Sequence, residues 1–302
     1  MRLSGMVSAL VCLCAVVIGI AAPPVQDEDV RGAFLTSRPK EKTPASGASK
    51  PSRRRPKSTA THTSNKPTEK NDTSSAGTSG PTSTSSTSSK PVNTPSLGLG
   101  LTLFRRDSNG LALRTDPNHV FRRGDRVRIL LETNSDGYLY VFNTTNDGPP
   151  VMIYPDAQLD EAGNYIQAHV PFEIPSSVSA DERLRWFAFD EISGTERVFF
   201  VFTREPLQGI PIEDELIALC RDSNESCPVK PSSEVWAGIQ KQMQEPLNLH
   251  KAEAYGGAET DAEQQATTRG FGLAKTDPEP SLVMMASSPR STLVATLDLI
   301  HK

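Results

Sequence analysis

Residues 121–206 read FRRGDRVRILLETNSDGYLYVFNTTNDGPPVMIYPDAQLDEAGNYIQAHVPFEIPSSVSADERLRWFAFDEISGTERVFFVFTREP, and this stretch decides the fold. Apolar residues alternate or run together in short segments, cut by turn-forming residues about every dozen positions, as in an all-β sandwich or barrel. Residues 125–133 place Val127, Ile129 and Leu131 on one face. After the Asp136-Gly137 turn, residues 137–143 alternate Tyr138, Tyr140 and Phe142 with Leu139 and Val141. Both faces are apolar, so this strand is expected to be central and covered on both sides. Residues 151–154, 165–174, 184–189 and 198–202 read as further strands, and Ser193-Gly194 as the turn of a hairpin joining the last two.

Outward from that stretch the pattern continues. Residues 101–104 and 111–113 flank Asn109-Gly110, a hairpin turn pair. Downstream, 212–219 and 233–244 read as helices. Ser232 or Ser233 caps the second, whose Trp236, Ile239 and Met243 form a stripe expected to pack on the sandwich. Residues 245–268 are polar and loop-like, and 272–275, 282–286 and 293–300 read as strands. The last strand is expected to close a sheet against the first strands near Leu101.

The N-terminal part differs in kind. A basic start at Arg2, an apolar run from Met6 to Ile20 and the small residues Ala21 and Ala22 read as a secretory signal over 1–21. The alternative is an uncleaved membrane anchor, since residues 4–22 are nearly long enough to span a bilayer. Residues 22–96 are rich in Ser, Thr, Pro and Lys, with Phe34 the only aromatic. They are expected to form a disordered linker, because so little apolar surface cannot offset ordering entropy. Residues 31–90 carry 12 Lys/Arg against 3 Asp/Glu, and residues 91–302 carry 19 against 30: a basic tail beside an acidic domain. The knot Arg53-Arg54-Arg55-Pro56-Lys57 suits contact with an anionic surface. Export makes nucleic-acid roles improbable.

Cys220 and Cys227 are the two cysteines beyond the apolar leader, and an even pair in an exported chain implies a disulfide. Free thiols or half of a metal site are the alternatives. Motifs for enzyme chemistry are missing: no H-E-x-x-H, no G-x-S-x-G and no phosphate-binding loop occurs. No catalytic residue and no cofactor are therefore assigned. A noncontiguous triad would need His119 or His169 beside an acid, with a nucleophile in reach. If the strands run up and down in order, three loops share one end of the sandwich. They carry Asn134 and Asp136; Asp156, Asp160, Glu161 and Asn164; and Asp190 and Glu191. Asp136, Asp156 and Asp160 are then the candidate calcium ligands, against the plainer reading that Asp and Asn serve the turns.

The strand residues also carry a family resemblance. Residues 121–129 and 136–140, then Ile153-Tyr-Pro-Asp156, Gly163-Asn164, Phe172-Glu-Ile-Pro175, Phe187-Ala-Phe-Asp190, Gly194-Thr-Glu196 and Val198-Phe-Phe-Val-Phe-Thr203 follow in order. Over about residues 98–207 the chain resembles the bacterial family called domain of unknown function 4384. The closing residues 269–275 and 298–301 are similar to the tail of exported members. The resemblance implies a small β-rich domain on envelope or secreted proteins, with no established active site to carry over.

The expected molecule is mainly β. It is an immunoglobulin-like antiparallel β-sandwich over 97–302 (core 98–207, helical excursion 210–245, closing strands 270–302) with a short helical insertion and a C-terminal strand. A signal peptide (1–21) and a long disordered region (22–96) precede it. The expected function is an exported, non-catalytic binding or protein-interaction module of the bacterial cell envelope, periplasmic, cell-surface or secreted. Its partner would be an envelope protein or glycan, with membrane contact only if the leader is retained. The alternatives are a cryptic hydrolase using His119 or His169, or a structural spacer.

Overall fold

In the computed structural model, residues 27–41, 94–157, 163–221, 227, 229–252 and 254–302 are described. The elements in chain order are α1 (Asp27–Thr36), β1 (Gly98–Arg106), β2 (Ala112–Arg114), β3 (Val120–Phe121), β4 (Arg126–Thr133), β5 (Gly137–Thr145), β6 (Val151–Tyr154), β7 (Tyr165–Ile166), β8 (Phe172–Ile174), a 3₁₀ turn (Glu182–Arg185), β9 (Phe187–Ala188) and β10 (Gly194–Thr203). Then follow α2 (Glu213–Arg221), α3 (Ser233–Met243), β11 (Leu247–Lys251), α4 (Asp261–Arg269), β12 (Leu282–Ala286) and β13 (Thr292–His301).

Two sheets face each other. The first runs β11-β12-β1-β4-β8, with β2 on β1 and β9 on β4; the second runs β3-β13-β10-β5-β6, with β7 on β5. The pairs are antiparallel except β13 with β3, which is parallel. Period-2 side-chain alternation explains the layering. In β5 and β10, Leu139, Val141, Val198, Phe200 and Phe202 enter the core between the sheets, with Leu99, Leu101, Leu103, Ile129 and Leu131 opposite. Tyr140, Phe142, Phe199 and Val201 face outward, where α2 and α3 cover them. Phe200 and Phe202 are fully buried, and each such side chain contributes about 1.5–3 kcal/mol of transfer free energy. Trp236 of α3 stands edge-on against Phe142 and Phe199 and Ile239 is buried beside it, so the expected α3 stripe packs on the sandwich through these two, while Met243 is exposed. Ser232 caps that helix by accepting from the Val235 amide.

The strands of the deciding stretch hold, with corrections at its irregular parts. The run 165–174 is not one strand: β7 pairs with β5 in one sheet and β8 with β4 in the other. Residues 184–189 give only the 3₁₀ turn and the two-residue β9, because Asp181 caps a turn there. No hairpin joins them to β10, since β9 lies on β4 and β10 on β5 and β13. Residues 245–268 are not merely loop: they hold β11 and α4, the latter with a Thr260–Glu263 capping box and left-handed Gly270 at its end. Residues 272–275 form no strand. The last strand lies beside β10 and β3; it is β12 that pairs with β1.

The linker expectation also fails at its start. Helix α1 packs Val30 and Phe34 on Val283 and Met285, burying the one aromatic of that stretch. The expected signal (1–21), the basic knot at 53–57 and the Ser/Thr-rich run lie outside the described residues. No helix among the described residues is long and apolar enough to cross a membrane.

Gly137 opens β5 where the backbone of β10 passes close. A Cβ there would sit 2.5 Å from the Thr203 carbonyl oxygen and 2.6 Å from the Phe202 ring. Gly137→Ala is expected to lose about 1–3 kcal/mol by overpacking, read from the urea midpoint, where an unchanged value would contradict the close approach.

Candidate functional site

The two histidines singled out from the sequence end in different settings. His119 sits exposed in a turn, its ring edge-on to Phe121. His169 is buried in a left-handed conformation (φ 58°) held on both sides. Its amide donates to the Thr133 carbonyl and its carbonyl accepts from the Leu273 amide, both at 2.8 Å. Such a conformation in a non-glycine residue persists where its surroundings fix it.

His169 brings an acid and a hydroxyl together. Its Nδ1 lies 2.8 Å from Glu132 Oε1, and its Nε2 lies 2.9 Å from Ser37 Oγ. Sequence reasoning named His169 but missed both partners, since Glu132 looks like a strand residue and Ser37 lies within the supposed linker. The order serine, histidine, carboxylate is that of a hydrolytic triad. Two contacts give it another character. Ser37 Oγ donates to the Phe34 carbonyl at 2.6 Å, so its proton points at the end of α1 and its lone pair faces Nε2. Glu132 also accepts two hydrogen bonds from Arg38, at 2.8 Å from Nε and 2.6 Å from Nη2.

Arg38 is the centre of this cluster. Beyond the Glu132 fork, Nη1 donates to the carbonyls of Ala274 and Asp277, and Nη2 donates to that of Pro278. All five guanidinium N–H groups are thus satisfied without water. The Lys275 amide donates to the Pro39 carbonyl beside it. The arrangement fastens residues 34–39 to β4, to the turn at His169 and to residues 273–278.

A second buried ionic cluster lies further along the same outer face. Arg128 of β4 pairs with Glu173 of β8 at 2.8 Å and with Glu259 at 3.0 Å, and its guanidinium lies over the Trp186 ring at 4.3 Å. The contact to Glu173 is an ion pair without aligned hydrogen-bond geometry. Two carboxylates share one cation. Burial and then the neighbouring Glu173 charge push the Glu259 carboxyl up to about 7, against the pull of Arg128. Burial likewise raises Glu173. Nearby, Arg114 pairs with Glu263 of α4.

The three acidic loops do not all share one end: β6 runs back along β5, which brings Asp156 toward the end that holds Asp136, while residues 190–191 lie at the other. The turn at 134–136 lies at the β5 start, whereas Glu196, just after residues 190–191, is opposite Thr145 at the β5 end. Those two loops are therefore at opposite ends of the sheet. Asn134, Asp136 and Asp190 also have turn work to do. Asn134 accepts from the Gly98 amide and donates to the Ser96 carbonyl; Asp136 accepts from the Ala168 amide and the Tyr165 hydroxyl. Asp190 accepts from the Ile192 amide. Asp156 sits just after β6, and Asp160 lies outside the described residues. Among the described residues no three His, Cys, Asp or Glu side chains are grouped to hold a metal. Cys220 and Cys227 are bonded to each other, which fastens the end of α2.

The outward face of the second sheet is covered by helices at one end only. At the other, Asn146, Asp147, Thr195, Arg197, Asp298 and Ile300 line an open groove of about 300 Å³. Arg197 pairs with Asp298 and Asp147, each at 2.8 Å, so the groove carries one excess negative charge.

Residues 120–206 match the family model of a Domain of unknown function (DUF4384), inside the span over which the sequence resembles that family. No curated protein and no solved structure matches the chain.

Proposed function

We propose that the chain is an exported, non-catalytic binding module of the bacterial cell envelope, acting on an envelope protein or glycan. The observation that carries this reading is the division of its polar groups. The charged clusters on the first sheet are buried and paired internally, Arg38 with Glu132 and Arg128 with Glu173 and Glu259. The groove on the second sheet keeps Arg197, Asp147, Asp298 and Asn146 at an open surface beside exposed Ile300. Fixed polar groups around a concave site are what recognition requires. A pure spacer is less well supported. Residues 41 and 94 both belong to the folded body, so the length of 42–93 does not set how far that body stands from what precedes α1.

The test is capture from native envelope extract with the full chain and with Arg197→Ala, with and without calcium. A specific partner retained by the wild type and lost by the variant supports the reading. Equal capture by both moves the site elsewhere.

One observation favours a second reading, a hydrolase: the contacts of Ser37, His169 and Glu132. It is separated from the first by a fluorophosphonate probe. A binding module leaves Ser37 unlabelled, as the direction of its hydroxyl implies; labelling that disappears in Ser37→Ala would establish the enzyme.

A further inference from the structure

The two sheets do not match in width, and the mismatch leaves a place for one more strand. On the first sheet β11 pairs with β12 so that Leu247 lies opposite Ala286 and Leu249 opposite Met284. Ala286 and Met284 belong to the core between the sheets, so Leu247, Leu249 and Lys251 face inward. Leu249 is nevertheless 52% exposed. The second sheet ends at β13 along most of its length, with only the two-residue β3 beyond it, opposite Ile300 and His301. Among the described residues, the second sheet has no strand beyond β13 there to cover Leu249.

The free edge of β13 follows from its hydrogen bonds. The Lys302 amide donates to the Phe121 carbonyl of β3, so even-numbered residues turn their backbone groups to that side. The Ser291 carbonyl accepts from the Arg204 amide beyond the end of β10, so odd-numbered residues turn to the other. Val294 is buried where α3 packs on β13, so the open edge is shorter: Thr296 and Asp298 present N–H and C=O groups where, among the described residues, no strand pairs. An unpaired edge beside an exposed inward leucine is a template for β-addition.

We propose that this lane, bounded by the β13 edge, the inner face of β11 and β3 at one end, binds an extended segment of a partner protein. The inference rests on the binding-module reading and names its partner class. The segment must alternate: apolar side chains inward against Leu249, polar ones outward. The outer face beside Asp298 carries the excess negative charge described above, which selects Lys or Arg at an outward position. The chain's own residues 42–93 do not fit, because Val92 is their only large aliphatic.

The experiment pans a displayed library of random octapeptides against the full chain. Enriched sequences are expected to alternate, to carry Lys or Arg on the polar face, and to bind at least 10-fold more weakly to Thr296→Pro and to Leu249→Lys. Pro removes an edge N–H at a position where edge strands tolerate it. Leu249→Lys changes a half-exposed side chain and covers the case in which the first variant misfolds. Val178→Lys, on an exposed loop of the other edge, should bind as the wild type does. Amide exchange at Thr296 and Asp298 should be fast in the free protein and slow with peptide. Failure to enrich, or protection of those amides in the free protein, overturns the lane. Peptides that bind both lane variants normally also overturn it, while leaving the binding-module reading in place.

Discussion

Arg38→Ala is expected to lower the unfolding free energy by about 3–5 kcal/mol, the cost of removing one partner from a buried ion pair. The side chain is fully buried, and its pair with Glu132 is sealed at both ends. Removing the guanidinium leaves Glu132 with His169 alone and strips a donor from the carbonyls of Ala274, Asp277 and Pro278. The structure can lower that cost in one way, by letting residues 27–41 leave and water reach Glu132. Val283 and Met285 would then lose their cover of Val30 and Phe34. The variant should therefore show fast amide exchange and new protease cleavage between 27 and 41, together with an earlier urea transition. Arg38→Lys should recover little, because an ammonium cannot fork onto a carboxylate while reaching three carbonyls. Wild-type exchange in α1 and an unchanged midpoint for Arg38→Ala would show that the cluster does not fasten the strap.

The same residues show what the sequence could and could not reveal. The strands whose two faces are both apolar, β5 and β10, were legible because period-2 alternation records burial directly. Val198–Phe202 could only be a strand lying between two covered faces. The pieces that change sheets were not legible. Residues 165–174 look continuous because their apolar content is even, yet β7 and β8 serve different sheets. Composition also hid α1. The surrounding Ser, Thr, Pro and Lys set the average, while the anchoring depends on Val30 and Phe34, four apart on one side of α1, and on Arg38 just beyond the helix end. A lone aromatic in a polar tract was the available signal. At the acidic loops the sequence offers two readings, ligand and turn, and the hydrogen bonds of Asn134, Asp136 and Asp190 to nearby amides are those of the plainer, turn reading. The His169 cluster joins residues 37, 132 and 169, and no local pattern connects those positions.

Glu259→Gln is expected to stabilise the protein by about 3 kcal/mol at pH 8 and to leave it almost unchanged near pH 4. The carboxyl titrates near 7 in the folded chain because burial and Glu173 disfavour its charge more than Arg128 favours it. In the unfolded chain it titrates near 4.5. Between those values the folded state holds a proton that the unfolded state has released, so stability falls as pH rises. The full contribution is present below about 4.5, is lost progressively up to about 7, and is constant above; its size follows from about 1.4 kcal/mol per pH unit. The side chain is only 9% exposed, so little solvent screening reduces it. Gln keeps a carbonyl oxygen for the Arg128 Nη2 donor at 3.0 Å and removes the second negative charge from the cation. Unfolding free energies of wild type and variant, measured from pH 4 to 8, should thus diverge across that window. Glu173, raised in the same sense, should leave the variant with a residual slope of the same sign. Parallel profiles would mean that Glu259 is ionised throughout, with Arg128 serving both carboxylates at no cost. The divergence would locate the pH sensitivity at the junction of β4, β8 and the entrance to α4, where Glu259 precedes the Thr260 cap.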